Sequence, residues 1–296
     1  MCGIAGCMGR VDEATVARML ARQAHRGPDD AGLWSTPADQ STPATLGHRR
    51  LAVLDPSSAG HQPMADASGR LRVVFNGELY NFHAVARELA GKGYRFETRS
   101  DTEVLLAAYH AWGPACVGRF AGMFAFALVD SDPPPGAPHW FLARDRFGIK
   151  PLFYSQRGDT LWFSSELRGL RVALTDARLD PEALLHYIAV GAIFQPRTIY
   201  STVQSLPPGC TLQGRGSALA VVRYWDLHDA TAGLRQELRD VSLADAAARV
   251  RSALDEATAA HLVADVPVGV FLSGGVDSTA IAALARRRHS GRLKTF

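Results

Sequence analysis

Residues 71–81 have the sequence LRVVFNGELYN. The apolar run over 71–75 predicts a β-strand, because β-branched and aromatic side chains favour extended backbone. Asn76 and Gly77 follow, and an Asn-Gly dipeptide is typical of a tight turn. A helix is predicted next, over 82–90, and it stops at a pair of glycines. A strand, a turn and a helix in this order indicate a domain that contains both β-strands and α-helices.

The sequence on either side continues this mixture. Before it, Asp12 can cap a helix predicted over 12–24. After it, Ser100 and Glu103 form a capping box ahead of an apolar stripe at helical spacing. Further strands are predicted over 122–129, 139–144, 151–155 and 160–164. The chain up to about residue 215 is therefore predicted to be an α+β layered domain.

The last quarter of the chain is predicted to begin a second domain, after a linker. Residues 216–240 are predicted to be a linker, since much of this segment is polar and lacks a hydrophobic period. An amphipathic helix is predicted from Ser242. The apolar run VPVGVFL (266–272) predicts a strand buried on both faces of a parallel sheet, followed by a helix over 278–288. This unit opens an α/β domain that the sequence does not complete, so we expect a longer protein.

Composition narrows the class of protein. A length of 296 residues suggests about two domains, and 47% hydrophobic and 21% charged residues are globular values. A net charge of +3 does not favour a nucleic-acid partner. Neither a membrane-spanning helix nor a secretory signal is predicted. The cysteines (Cys2, Cys7, Cys116 and Cys210) are too scattered for a disulfide framework, which predicts a cytoplasmic protein.

Cys2 is the candidate nucleophile. Removal of Met1 would give Cys2 a free α-amino group, whose ordinary pKa of about 7.7–8.0 lets it accept a proton at neutral pH. The thiol would then attack an amide or ester carbonyl and form an acyl-enzyme. The alternative is a small buried hydrophobic side chain, the usual state of a free cysteine. A zinc site with Cys7 is not predicted, because no second Cys/His pair has ligand spacing.

The sequence SGGVDS (273–278) lies between the predicted strand and helix of the last quarter. Its glycines let backbone approach phosphates, and the N–H groups at a helix start bind anions. Asp277 fits beside phosphates where a divalent cation bridges them, which predicts Mg²⁺. The segment is neither a Walker A motif nor a dinucleotide fingerprint. The alternative is an ordinary turn between a strand and a helix.

Several segments, taken in order, resemble the glutaminase domain of class II glutamine amidotransferases. They are CGIAG (2–6), HRGPD (25–29), GHRRLAVLD (47–55), FNGELYN (75–81), SDTEV (100–104) and GMFAFAL (122–128). RDRFGIKPLFY (144–154) and SSELRGL (164–170) resemble the asparagine synthetase branch, and SGGVDS resembles the pyrophosphate loop of ATP pyrophosphatases. The resemblance implies an N-terminal-nucleophile αββα sandwich, followed by the start of an α/β ATP-pyrophosphatase-like domain.

The resemblance also implies residue roles. Cys2 would be the nucleophile, with the Asn76 side chain and the Gly77 N–H as the oxyanion hole. Arg50 would bind the carboxylate of glutamine, and Asp101 with Glu78 its ammonium. The remaining glutamine-binding residues would be Leu51, Ala52, Val53 and Leu54. The ATP-binding residues would be Leu272, Ser273, Gly274, Gly275, Val276, Asp277 and Ser278. Taken alone, Asn76 would be a turn residue, Arg50 a surface charge and Asp101 a helix-start carboxylate.

The implied function is glutamine-dependent asparagine synthesis. Ammonia from glutamine would pass to an aspartate adenylated by ATP with Mg²⁺, and the family suggests a homodimer. Residues 2–215 would be the glutaminase domain, 216–240 the linker and 241–296 the incomplete synthetase domain. Two alternatives stay open, an amidotransferase of this family acting on another carboxylate, and a non-catalytic binding module.

Overall fold

The computed structural model describes residues 1–37, 42–215 and 218–296. They form two compact units, Met1–Asp226 and Leu227–Phe296. The elements of the first unit are β1 (Gly3–Met8), α1 (Glu13–Ala21), β2 (Asp30–Ser35), β3 (Ala44–Arg50), β4 (Met64–Ala65), β5 (Leu71–Leu79), α2 (Phe82–Ala90), α3 (Asp101–Trp112), β6 (Gly122–Asp130), β7 (Trp140–Arg144), β8 (Phe153–Arg157), β9 (Thr160–Ser164), α4 (Leu167–Ala173), α5 (Pro181–Val190), β10 (Gln204–Ser205), β11 (Cys210–Arg215) and β12 (Ala218–Arg223).

Two antiparallel sheets form the middle of the first unit. The described strands follow the order β10-β8-β9-β1-β3-β2 in one sheet and β12-β11-β7-β6-β5-β4 in the other. One apolar core lies between the sheets. A second core packs α1 and α4 on the first sheet, and a third packs α2 and α3 on the second. The predicted αββα sandwich is confirmed.

The burial of β1 shows how the sequence builds these layers. Every residue of this strand is buried. Ile4 and Met8 belong to the core between the sheets, whereas Ala5 and Cys7 belong to the core under α1 and α4. Side chains alternate between the faces of a strand, so a strand covered on both faces has no polar alternation. Cys2 immediately precedes this rigid strand.

The turn predicted at Asn76 and Gly77 is wrong. β5 continues through both residues, which pair with Ala125 and Phe124 of β6. A Cβ atom at position 77 would lie 2.3 Å from the carbonyl oxygen of Met123. The glycine therefore serves the close approach of two backbones rather than a change of chain direction.

Replacing Gly77 with alanine is expected to lower the free energy of unfolding of the first unit by about 1–3 kcal/mol, because the new methyl group overlaps fixed backbone. All five tryptophans lie between residues 34 and 225, so tryptophan fluorescence during urea unfolding reports on this unit. Gly118→Ala is the matched control, since nothing lies near its added Cβ. Equal urea midpoints for Gly77→Ala and Gly118→Ala would contradict the close approach of β5 and β6 at Gly77.

Some other predicted boundaries also change. Asp12 caps α1 as predicted, but the helix ends at Ala21 rather than residue 24. Ser100 caps α3, whereas Glu103 accepts hydrogen bonds from the backbone of residues 97 and 98 instead of completing the capping box. Within the predicted linker, residues 218–223 form β12, which pairs with β11. Gly216 and Ser217 lie outside the described residues.

The second unit is built on two long helices. Its elements are α6 (Leu227–Thr231), α7 (Leu234–Glu237), α8 (Leu243–His261), β13 (Gly269–Val270), α9 (Val276–Arg288) and β14 (Lys294–Thr295). The buried strand predicted over 266–272 is wrong, because only Gly269 and Val270 pair, in parallel with β14, and Phe271 is 85% exposed. Neither unit, as far as its described residues go, holds a helix long and apolar enough to cross a membrane.

Candidate active site

A cavity of about 160 Å³ lies at the ends of β1, β3 and β5. Both sheets contribute to it, since Cys2 precedes β1, Arg50 ends β3 and Asn76 lies in β5 of the other sheet. The predicted glutamine-site residues that line this cavity are Cys2, Arg50, Leu51, Val53, Leu54, Asn76, Gly77, Glu78 and Asp101. The fold thus brings together residues that are up to about a hundred positions apart in the sequence.

Backbone contacts hold Cys2 at the cavity wall. The N–H of Leu51 donates to its Sγ (3.4 Å), which lies 3.6 Å from the Leu51 carbonyl oxygen. The Nε of Arg26 donates to the Cys2 carbonyl oxygen (2.9 Å). Burial raises the pKa of the Cys2 thiol, while the Leu51 N–H and nearby positive charges act in the opposite direction. The thiol is therefore fixed in place, and it depends on its surroundings to ionise.

The Asn76 side chain is fully buried at this cavity. Val74, two positions earlier in β5, belongs to the core between the sheets, so the alternation of the strand turns Asn76 to the same side. Within the described residues, neither its Nδ2 nor its Oδ1 has a hydrogen-bond partner. A buried amide without a partner is costly, at about 1–3 kcal/mol, and this one faces the cavity that holds Cys2. Its N–H groups are available to a ligand.

Asp101 is a buried carboxylate at the first residue of α3, and it also lines the cavity. Its Oδ2 accepts a hydrogen bond from the N–H of Leu79 (2.9 Å). Burial raises the pKa of Asp101 to about 7, and the negative charge of Glu78 adds to this shift. A positively charged ligand group in the cavity would therefore stabilise the ionised form.

Arg50 lines the cavity but also organises its rim. Its Nη1 donates to the carbonyl oxygen of Ser57 (2.8 Å), and its Nη2 to those of Leu54 (3.2 Å) and Asp55. The guanidinium is thus buried among backbone oxygens. Ala52 is outside the cavity lining, and its N–H donates to Oδ2 of Asp29 (2.8 Å).

A family model described as the glutamine amidotransferase domain matches residues 1–225, which is most of the chain. The chain belongs to the glutamine amidotransferase family. A model of asparagine synthase matches residues 249–296.

Two curated relatives match nearly the whole chain. Asparagine synthetase [glutamine-hydrolyzing] 3 of Bacillus subtilis is 37% identical over 96% of this chain, and asparagine synthetase B [glutamine-hydrolyzing] of Escherichia coli is 31% identical over 99%. The chain spans 45% and 46% of their respective lengths. The solved glutamine phosphoribosylpyrophosphate amidotransferase of B. subtilis, complexed with ADP and GMP, matches 99% of this chain and 65% of its own with a TM-score of 0.55. At 18% identity, that likeness concerns the fold.

Three residues in or beside this cavity were not singled out from the sequence. Arg26 belongs to HRGPD (25–29), a segment to which no residue role was attached, and its Nε donates to the Cys2 carbonyl oxygen. Gln62 lines the cavity, where its Oε1 accepts from the N–H of Phe75 (2.7 Å) and its Nε2 donates to Thr102 (3.2 Å). Lys150 also lines the cavity and is only 5% exposed. The signal for Lys150 was its place in RDRFGIKPLFY, a segment to which no role was attached.

The segment SGGVDS (273–278) lies in the second unit of this amidotransferase chain. Gly274 has a φ of +81°, and α9 starts at Val276 after Gly275, without a side-chain cap. The hydroxyls of Ser273 and Ser278 lie 3.1 Å apart. The first N–H groups of α9 are therefore available to an anion, which fits a phosphate. Within the described residues, no group of three or more carboxylate, His or Cys side chains is placed to hold a metal ion.

Proposed function

We propose that the first unit hydrolyses glutamine, with Cys2 as nucleophile and Asn76 as an oxyanion donor. One observation carries the proposal. The buried Asn76 amide, without a partner among the described residues, faces the same cavity as the Cys2 thiol. A preorganised donor of this kind stabilises the charge that develops on a carbonyl oxygen under attack.

The proposed reaction has two steps. After removal of Met1, the Cys2 α-amine takes the thiol proton, and Sγ attacks the side-chain amide carbon of glutamine. The carbonyl oxygen becomes an oxyanion held by Asn76 and the Gly77 N–H. The C–N bond then breaks, and ammonia leaves with the proton from the amine. Water adds to the thioester, releases glutamate and restores the thiol.

The two charged ends of glutamine would be recognised by groups of opposite charge in the cavity. Asp101 and Glu78 supply negative charge for the ammonium, and Arg50 supplies positive charge for the carboxylate. Because the Nη atoms of Arg50 already hold backbone oxygens, the carboxylate would have to share this guanidinium with the rim.

We expect the KM for glutamine to rise about tenfold between pH 8 and pH 6. The pKa of Asp101 is about 7 in the free site, and only its ionised form pairs with an ammonium, so the binding-competent fraction falls as pH falls. Initial rates at several glutamine concentrations would measure this. In Asp101→Asn the KM should be high at both pH values, whereas the exposed Glu97→Gln should behave like the unsubstituted chain. A KM that does not change with pH would contradict the role of Asp101.

For the whole protein we propose asparagine synthesis. Residues 241–296 would begin the synthetase domain, in which ATP adenylates aspartate and ammonia displaces AMP. The loop from Leu272 to Ser278 would bind the phosphates, and Asp277 would be one carboxylate ligand of Mg²⁺, which would neutralise phosphate charge. The free N–H groups at the start of α9 support phosphate binding. We also propose that the whole protein forms a homodimer.

The test is release of glutamate and ammonia from glutamine by the purified chain, together with its intact mass. Equal amounts of both products from protein lacking Met1 are expected. Folded protein that retains Met1 and releases neither product would favour the binding module, since the amine would be locked in a peptide bond. Folded protein that lacks Met1 and still releases no glutamate would overturn the proposed hydrolysis by this unit.

A further inference from the structure

Lys150 is a buried cation in the cavity of the proposed nucleophile. It is 5% exposed, and it lines the same cavity as Cys2 and Met1. Neither the sequence motifs nor the proposed reaction gives it a role. A lysine ammonium is strongly hydrated and is rarely buried without a charged neighbour.

The backbone that carries Lys150 is fixed by two buried charges. The carboxylate of Asp145 accepts hydrogen bonds from the N–H groups of Phe147, Ile149 and Lys150, at 3.0–3.1 Å. The guanidinium of Arg144 donates to the carbonyl oxygens of Lys150 (2.8 Å) and Gly148 (2.7 Å). Asp145 and Arg144 are themselves 1% and 4% exposed. Position 150 is thus held rigidly at the cavity wall.

We propose that the Lys150 ammonium activates Cys2 electrostatically, by stabilising the negative charge of the thiolate in the cavity that both residues line. Lys150 acts through Cys2 rather than on the substrate. The assignment rests on the proposed glutamine hydrolysis, in which the thiolate is the attacking species.

The surrounding charges agree with a cationic Lys150. Burial lowers the pKa of its ammonium, and Glu78 and Asp145 oppose this effect, since their negative charges favour the protonated form. The positive charge of Lys150 in turn lowers the pKa of the Cys2 thiol and that of the Met1 α-amine. The other charged groups that act on Lys150, Cys2 or the amine are Arg26, Asp29 and Arg50.

The test is the pH dependence of Cys2 alkylation by iodoacetamide, which reacts with the thiolate. Cys2 is half-buried whereas Cys7, Cys116 and Cys210 are buried, and peptide mapping would assign the modified residue. In Lys150→Met, the midpoint of the alkylation profile should rise by about one pH unit, which lowers the rate about tenfold below the midpoint. Lys150→Arg should restore most of the shift, because it keeps the charge.

Control variants separate a charge effect from a folding effect. Lys92→Met removes an exposed lysine, and its alkylation profile should not move. Lys150→Gln provides a second neutral variant, and the fluorescence unfolding midpoint of each variant reports its stability. A change in stability without a shift in the alkylation midpoint would overturn the proposal.

This experiment needs no glutamine, so its failure is distinct from that of the proposed function. An unchanged alkylation midpoint in both neutral variants overturns the role of Lys150 and leaves glutamine hydrolysis standing. Absence of glutamate release by the unsubstituted chain overturns the proposed hydrolysis, and with it the catalytic use of any shift. Complete loss of turnover in Lys150→Met with an unmoved midpoint would assign Lys150 itself as the base, contrary to this proposal.

Discussion

Replacing Cys2 with alanine is expected to lower glutamine hydrolysis by about 10⁴-fold or more. The proposed route runs through a covalent thioester, and alanine has no atom that can form one. The remaining groups of the cavity would still bind glutamine, so the KM of any residual activity should change little. Glutamate release at saturating glutamine, compared with the unsubstituted chain, measures the effect.

Two further cysteine variants make this result specific. Cys7→Ala alters a buried thiol that donates to the Arg10 carbonyl oxygen (3.4 Å) in the core under α1, away from the cavity lining. It should retain activity with a small loss of stability. Cys2→Ser keeps the shape but provides a weaker nucleophile, so it should be nearly as inactive as Cys2→Ala. Comparable activity in Cys2→Ala and the unsubstituted chain would exclude Cys2 as nucleophile.

The elements of the first unit that sequence could predict are those with local signals. Asp12 and Ser100 cap helices as predicted, and the strands over 122–129 and 139–144 are within one residue of β6 and β7. The Asn76-Gly77 turn failed because its signal is local, whereas the determinant is the contact of Gly77 with β6. A dipeptide cannot show whether a neighbouring strand approaches it.

The strand predicted over 266–272 failed for a related physical reason. An apolar run becomes a buried strand only where neighbouring strands and helices cover it. Here β14 pairs with two of its residues, and Phe271 is exposed. The hydrophobicity of the segment therefore did not suffice to predict a buried strand, because burial depends on the strands and helices around it.

Part of the cavity lining could be predicted from the sequence. The resemblance to amidotransferases carried Cys2, Asn76 and Asp101, and the structure brings all three to one cavity. Lys150 and Arg26 were missed because their importance is a matter of burial and of a contact to the Cys2 backbone. Both residues lie in segments that resemble amidotransferases, but neither burial nor this contact can be read from those segments.

Replacing Asn76 with alanine is expected to lower kcat for glutamine hydrolysis by about 10²–10³-fold and to change KM little. The Asn76 amide would bond to the oxyanion, which exists in the transition state and not in bound glutamine. Steady-state kinetics at pH 8, where Asp101 is mostly ionised, would separate the two parameters. A rise in KM with unchanged kcat would instead assign Asn76 to ground-state binding.

The same substitution should leave the stability of the first unit nearly unchanged, and this separates Asn76 from a structural asparagine. Within the described residues its amide has no partner, so alanine removes an unsatisfied buried group and breaks no hydrogen bond. Asn81 is the contrasting control, because its Nδ2 donates to the Arg119 carbonyl oxygen (2.9 Å) and its Oδ1 accepts from the Ala121 N–H (2.9 Å). Asn81→Ala should lower the fluorescence unfolding midpoint and keep kcat, whereas Asn76→Ala should lower kcat and keep the midpoint. If both variants lost stability and activity together, the Asn76 amide would be part of the scaffold, and the cavity would lack its proposed oxyanion donor.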